Sequence, residues 1–241
     1  MKFLLHTYGC QMNVRDSEAV EALLTAAGHE KVDDETDAEV VIVNSCTVRQ
    51  KAEEKAIGKV GNLLAAGKIV GLMGCAVKRM DEDVFKRMPK LHFAVGPRRF
   101  GLIPRLLDRV VAGERRILEV GDDEVPTGMD AHPDIRRAGT FAAVQSYVTV
   151  LLGCDNCCSY CIVPKTRGHE YSRPADEIVR EVECLAARGV KEVTLLGQSV
   201  LRYKGFPQLL RRIQEIDGIE RIRFTSAHPG GCTDEDRKSV V

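Results

Sequence analysis

Residues 153–168 read GCDNCCSYCIVPKTRG and hold four of the nine cysteines in the chain. Cys154, Cys158 and Cys161 stand at CxxxCxxC spacing. One tight loop of that spacing can aim three soft thiolates inward at a single 4Fe-4S cube. Three ligands cover three irons and leave the fourth open to a small molecule, which is what a cluster needs for chemistry beyond carrying an electron. Cys157 also makes two back-to-back CxxC pairs, Cys154 with Cys157 and Cys158 with Cys161, which suggests zinc. Structural zinc sites usually set their two CxxC knuckles roughly 15 residues apart, so that each has its own turn, and here nothing separates them. The spacing therefore favours the cluster, with Cys157 a spare thiol, either a bystander or an alternate ligand.

Working outward, Ala142–Leu152 reads as a strand leading straight into the loop, which places the loop at a strand's carboxyl end, as a barrel active site requires. Pro164 and Gly168 stiffen and turn its far side. Arg167 and Arg173 are basic enough to meet a carboxylate or phosphate, but are read as solvated surface arginines. Ala175–Arg188 is an amphipathic helix introduced by Pro174 and stopped by Gly189, with Cys184 a packing residue within it. Val193–Leu196 is a strand ending in GQSVLRY, Leu209–Ile216 a helix, and Ile222–Thr225 a strand followed by SAHPGGC. Gly197 and Gln198 make either a tight turn after a strand or part of a barrel rim, and His228 is either structural or a lining residue.

Residues 2–110 alternate strands and helices in roughly four units. Apolar runs at Phe3–Leu5, Val40–Val43, Ile69–Met73 and Phe93–Val95 read as strands. Helical patterns cover Ser17–Ala27, Gln50–Ala66, Glu82–Met88 and Phe100–Val111. The class is α/β: an open, flavodoxin-like parallel sheet with flanking helices, then strand–helix units that, on a family resemblance, are the first half of a partial (β/α) barrel. Cys10, Cys46 and Cys75 each follow one of the first three strands, 36 and 29 residues apart. In an open parallel sheet the loops after the strands gather on one edge, so three thiols at equivalent positions predict a second three-cysteine site.

Composition bounds the rest. The 35 basic and 35 acidic side chains cancel, so no general field attracts nucleic acid, and 5% aromatic residues with no Trp offer no base-stacking platform. With 44% hydrophobic and 29% charged residues the chain reads as ordinary globular protein. Nine cysteines in 241 residues do not make a disulfide scaffold, MKFLLH lacks the layout of a signal peptide, and no apolar run approaches the ~18 residues of a membrane span. The expectation is a cytoplasmic chain with no membrane helix.

The loop CxxxCxxC with Tyr160 before its third cysteine resembles the signature of the radical S-adenosylmethionine (SAM) enzymes. TYGCQMNVRDSE, NSCTVRQKAEEK and GCAVKR, in that order ahead of the loop, look like the methylthiotransferase family, and GQSVLRY and SAHP are similar to its GQNVNSY-like and SSHP segments. GCQMN is similar to the branch that modifies isopentenyladenosine beside the tRNA anticodon, rather than threonylcarbamoyladenosine or a ribosomal protein.

The resemblance implies two 4Fe-4S clusters and SAM as cofactors. Cys154, Cys158 and Cys161 would hold the SAM-binding cluster, and Cys10, Cys46 and Cys75 an auxiliary cluster that supplies sulfur. Tyr160, Gly197 and Gln198 would contact SAM. A 5'-deoxyadenosyl radical would take hydrogen from C2 of the adenine in tRNA, with no side chain needed as general acid or base. The partners would be tRNA as substrate and an electron donor such as flavodoxin or ferredoxin, and the protein a monomer. The rival classes are a non-enzymatic iron-sulfur carrier or sensor and a zinc-binding interaction module.

On this reading residues 1–113 form the auxiliary-cluster domain, 114–139 a linker and 140–235 a truncated radical SAM domain. The family's carboxyl-terminal RNA-binding domain is expected to be absent and the chain by itself inactive. DRKSVV at 236–241 back-translates, with one permitted set of codons, to the start of a common sequencing adapter, and is expected to be non-native.

Overall fold

The structure, a computed structural model, describes residues 1–121 and 144–235. They fall into two compact units. The first holds the described residues up to Gly121 together with Lys165–Arg167. The second holds those from 144 to Pro164 and from Gly168 onward.

The first unit is a six-stranded parallel sheet of β1 (Lys2–Tyr8), β2 (Glu30–Lys31), β3 (Val40–Ser45), β4 (Ile69–Met73), β5 (Phe93–Val95) and β6 (Ile117–Glu119). Its order, β2-β1-β3-β4-β5-β6, is the flavodoxin-like order with one further strand. The helices are α1 (Gln11–Ala26), α2 (Gln50–Ala65), α3 (Cys75–Met80), α4 (Asp83–Arg87) and α5 (Ile103–Val111). β3 shows why the sheet is apolar on both faces. Its Val40 and Ile42 join Ala19 and Val20 of α1 and Leu106 of α5 in one core, while Val41 and Val43 join Val60 of α2 and Val77 of α3 in the other. A strand covered on both sides must read as an unbroken apolar run, as VVIV does.

Adjacent strands in this order run in opposite directions of connection between β1 and β3. That is the switch point at which open α/β sheets form their ligand crevice, outside the carboxyl ends of the strands. Cys10 follows β1 and Cys46 follows β3.

The second unit contains β7 (Gln145–Thr149), β8 (Leu151–Leu152), β9 (Tyr171–Ser172), α7 (Ala175–Ala186), β10 (Glu192–Leu196), α8 (Phe206–Gln214) and β11 (Arg221–Phe224). A short helix, α6 (Val163–Arg167), ends in the three residues that belong to the first unit. β7, β10 and β11 lie side by side in chain order, all parallel, as in the wall of a barrel, and β8 pairs antiparallel with β9. Val148, Ile178, Val193, Leu195, Phe206 and Ile213 fill the core between this sheet and its helices.

Several boundaries differ from the sequence reading, each for a local reason. α1 starts at Gln11 rather than Ser17 because Cys10 caps it. The helix expected over Glu82–Met88 is α4, and the unexpected α3 precedes it, the two parted at Asp81, whose φ of 51° leaves the helical region. β2 and β6 are too short to show alternation in sequence. β6 lies inside the segment read as linker, because Ile117 is buried against the core beneath the sheet. Most of that linker, residues 122–139, and the tail at 236–241 lie outside the described residues, as do residues 142 and 143 of the expected strand. No helix among the described residues is long and apolar enough to cross a membrane.

Candidate functional site

At the carboxyl edge of the first sheet, Cys10 caps α1. Its backbone N–H donates to Asn13 Oδ1 at 3.2 Å, and the Asn13 N–H is returned to the Cys10 sulfur. Cys46 follows β3, and the Val48 N–H donates to its sulfur at 3.4 Å. Cys75 opens α3 directly after Gly74. Cys46 and Cys75 are buried and Cys10 is half-buried. Neighbouring Cys46, the Asn13 and Met12 N–H groups and the charge of Arg167 act against burial and hold the Cys10 thiol below the usual cysteine range. The direction favours the thiolate, the form that binds metal.

A buried polar network fixes the three loops to one another. Asn13 Nδ2 donates to Asn44 Oδ1 at 2.9 Å, and Asn44 Nδ2 donates to the Asn13 carbonyl at 2.8 Å and to Ser17 Oγ at 3.0 Å. Gly74 completes it. With φ at +100°, a Cβ there would lie 2.5 Å from Asn44 Oδ1 and 2.6 Å from the Ser45 carbonyl, so only glycine lets α3 start against β3. Farther out, Thr47 Oγ1 donates to Glu53 Oε2 at 2.7 Å, and Arg79 Nε donates to Thr47 Oγ1 at 2.8 Å. Thr47 adjoins Cys46 and Arg79 is one turn beyond Cys75, so this second tie holds the same two loops.

Arg167 belongs to this unit and is 4% exposed. Its Nη2 donates to Asp16 Oδ2 at 2.8 Å and its carbonyl accepts Arg98 Nε at 2.7 Å. Burial opposes its charge, but Asp16, Cys75 and Cys10 outweigh burial and hold the guanidinium protonated. The sequence reading of Arg167 as a solvated side chain is thus overturned. Arg173 of the second unit corrects the same reading. It is 3% exposed, pairs with Glu181 at 2.7 Å and donates to the Thr149 carbonyl at 2.7 Å.

In the second unit Cys154 is buried, Cys158 and Cys161 are half-buried, and Cys157 is exposed. The loop is closed by the Cys154 N–H donating to the Gly168 carbonyl at 3.0 Å and the Cys161 N–H to the Cys158 carbonyl at 3.1 Å. Gly153 has φ at +74° and no room for a Cβ against the His169 carbonyl. Side chains pin the loop's first half. Asp155 Oδ1 pairs with His169 Nδ1 at 2.8 Å, while Arg202 reaches Glu170 at 2.7 Å and Asn156 Oδ1 at 3.1 Å. Arg202 comes from the loop after β10, so that strand's carboxyl end helps to hold the cysteine loop.

The residues expected near SAM are mixed. Tyr160 is 89% exposed. A Cβ on Gly197 would meet Leu151 Cβ at 3.1 Å, which gives this glycine a close-approach role. Gln198 Oε1 and Ser199 Oγ are buried without a hydrogen-bond partner among the described residues. His228 is exposed and accepts the Gly230 N–H at 3.1 Å. Sequence reasoning missed Asn13, Asn44 and Ser199. An Asn inside the apolar run VVIVNS was the available signal, since a buried amide must find partners.

Among the described residues no three His, Cys, Asp or Glu side chains gather so as to hold a single metal ion. A 4Fe-4S cube takes one thiolate on each of three separate irons, so its cysteines stand farther apart than the ligands of one ion. The donors fit such a group. Cys10 and Cys75 share the field of the same buried guanidinium, which favours the thiolate form of Cys10, Cys46 is buried at the end of the neighbouring strand, and soft thiolates are the ligands an iron-sulfur cluster takes.

Residues 2–96 match the family described as "Uncharacterized protein family UPF0004", and residues 148–238 match the Radical SAM superfamily. The chain is 40% identical over 272 residues to the tRNA-2-methylthio-N(6)-dimethylallyladenosine synthase of Opitutus terrae, covering 96% of this chain and 57% of that protein. It is 42% identical over 243 residues to the enzyme of the same name from Geobacter sulfurreducens, covering 96% and 54%. The chain thus spans about half the length of the curated relatives it matches. Among solved structures, the radical S-adenosylmethionine methyltransferase TsrM from Kitasatospora setae, with cobalamin and a [4Fe-4S] cluster bound, superposes with a TM-score of 0.64 at 16% identity over 99% of this chain and 58% of that one, a likeness of fold. Two family regions in this order, with similarity running along nearly the whole sequence, make the chain a member of the methylthiotransferase family of radical SAM enzymes.

Proposed function

We propose that the protein adds a methylthio group to C2 of N6-isopentenyladenosine beside the anticodon of tRNA, with Cys10, Cys46 and Cys75 holding an auxiliary 4Fe-4S cluster and Cys154, Cys158 and Cys161 the SAM-binding one. The observation that carries this reading is the coincidence of identity and placement. The relatives named for this modification match at 38–42% identity across both cysteine sets, and each set follows a strand's carboxyl end. When bound, the second cluster would supply the electron that cleaves SAM.

The chain's own residues do the holding and orienting. Cys10 presents a thiolate, and Asn44 and Gly74 keep its loop and that of Cys75 on either side of β3. Arg202, Asp155 and Glu170 fix the CxxxCxxC loop, and the unpartnered Gln198 Oε1 is an acceptor available to SAM's amino group, with Tyr160 and Gly197 beside the same loops. The tRNA substrate, a flavodoxin- or ferredoxin-like electron donor, a monomeric state and a cytoplasmic location belong to this reading, as do domain limits of 1–113 and 140–235 around the linker.

The test is the iron and zinc content of the anaerobically reconstituted chain, with its electron paramagnetic resonance spectrum. The expected result is about eight irons, falling to about four when either cysteine set is changed to alanine. Adding SAM should alter the spectrum only where Cys154, Cys158 and Cys161 remain. Zinc in place of iron, or iron lost in only one variant, would overturn the two-cluster reading.

A further inference from the structure

Arg167 is a strongly buried guanidinium beside the first cysteine site that leaves one edge open. Asp16 takes its Nη2 at 2.8 Å, whereas Nη1 is buried and has no hydrogen-bond partner among the described residues. Native proteins rarely bury a charged donor without an acceptor, because the group gives up its hydration and receives nothing in return. Two features say what the missing acceptor is. The thiols of Cys75 and Cys10 act on the Arg167 guanidinium alongside Asp16, so the guanidinium lies in the field of the proposed ligands. Its own carbonyl is held by Arg98 Nε at 2.7 Å and Asp16 sits on α1, the helix that Cys10 caps, so the guanidinium is fixed relative to those ligands rather than free to turn away.

Resting on the two-cluster reading, we infer that Arg167 is a positioning residue of the auxiliary site: its Nη1 donates to a sulfur of the anion held by Cys10, Cys46 and Cys75 and makes that anion easier to reduce. Hydrogen bonds to cluster sulfurs and nearby positive charge both raise a cluster's reduction potential. Asp16 is there to hold the fork in place. Arginine is required because one edge serves Asp16 while the other serves sulfur, a division that the single ammonium of lysine cannot reproduce.

The experiment uses the chain with Cys154→Ala, Cys158→Ala and Cys161→Ala, so that only the auxiliary site holds iron, and titrates its electron paramagnetic resonance signal against potential. Arg167→Met should retain about four irons while the ratio of reduced to oxidised cluster at a fixed poise falls about tenfold, ~59 mV for a one-electron couple. Arg167→Lys should recover part of the shift by restoring charge alone. Iron retained with an unmoved potential in Arg167→Met would overturn the inference and leave Arg167 as no more than the counter-ion of Asp16.

Should Arg167→Met lose its fold to an unpaired Asp16, the double variant Asp16→Leu with Arg167→Met removes both charges. The same negative shift is expected there, and an unmoved potential overturns the inference equally. Absence of iron from the parent triple variant would instead sink the two-cluster reading itself, which separates the two failures.

Discussion

Asn13 and Asn44 exchange two hydrogen bonds, side chain to side chain at 2.9 Å and side chain to backbone at 2.8 Å, across 31 residues of sequence. Both are fully buried. The pair fixes the first turn of α1, and with it Cys10, to the end of β3, two residues before Cys46. Asn44→Leu leaves Asn13 Nδ2 without its acceptor and removes a donor from the Asn13 carbonyl in the core. The expected loss is about 1–3 kcal/mol of unfolding free energy in urea, because buried polar groups stripped of partners keep their desolvation cost. Iron at Cys10, Cys46 and Cys75 should fall with it, while iron at the CxxxCxxC loop stays. Unchanged iron at both sites would show that the pair is structural only.

Gly74 is the second point on which that site turns. Gly74→Ala must adopt φ near +100° and push against Asn44 and Ser45, and a loss of about 1–3 kcal/mol is expected. Gly28→Ala is the control. Its φ is +84° but nothing lies within 4 Å of its added Cβ, so it isolates the backbone strain. Equal losses in the two variants, read from urea midpoints, would show that contact with Asn44 adds nothing.

Arg173 and Glu181 form a buried pair at 2.7 Å between β9 and α7, with the Tyr203 hydroxyl donating to the Arg173 carbonyl at 2.8 Å. Arg173→Met alone strands the Glu181 carboxylate, at an expected cost of about 3–5 kcal/mol. The double variant Arg173→Met with Glu181→Leu should regain most of it, because two apolar side chains need no charge compensation. A double variant as unstable as the single one would mean that the bond from Arg173 to the Thr149 carbonyl matters more than the pair.

His92 gives the fold an acid limit. Its Nδ1 accepts the Val70 N–H at 3.1 Å, which requires a neutral ring nitrogen, and burial together with the charge of Arg115 holds its pKa below the usual histidine value. A depressed folded pKa means the unfolded chain takes the proton first as pH falls. The stabilisation is therefore fully present above about pH 6.5 and is lost as pH drops through the folded value. Unfolding free energy measured at pH 7 and pH 5 should fall in the native chain and fall less in His92→Asn, whose amide oxygen accepts without titrating. Parallel declines would assign the acid sensitivity to other groups.

Much of this was legible in the residues. The runs VVIV and IVGLM announce strands covered on both faces, and cysteines recurring after β1, β3 and β4 share one edge because a parallel sheet collects its loops there. CxxxCxxC is local, so its spacing carries the reading without help from the rest of the chain. The two-residue β2 and three-residue β6 were not legible, since so few residues show no alternation and their pairing is decided by the neighbouring strand.

The sequence by itself thus determined the α/β class, the longer strands and helices and the spacing of the cysteines, because each is written in periodicity or short spacing. Only the tertiary structure decided the environment of the arginines and the asparagines. Arg167 and Arg173 look like solvent-facing charges in sequence, yet their carboxylate partners lie 151 and 8 residues away. Asn44 finds its partners 31 and 27 residues back. Burial and hydrogen bonding depend on which distant segments meet, and no local pattern specifies that.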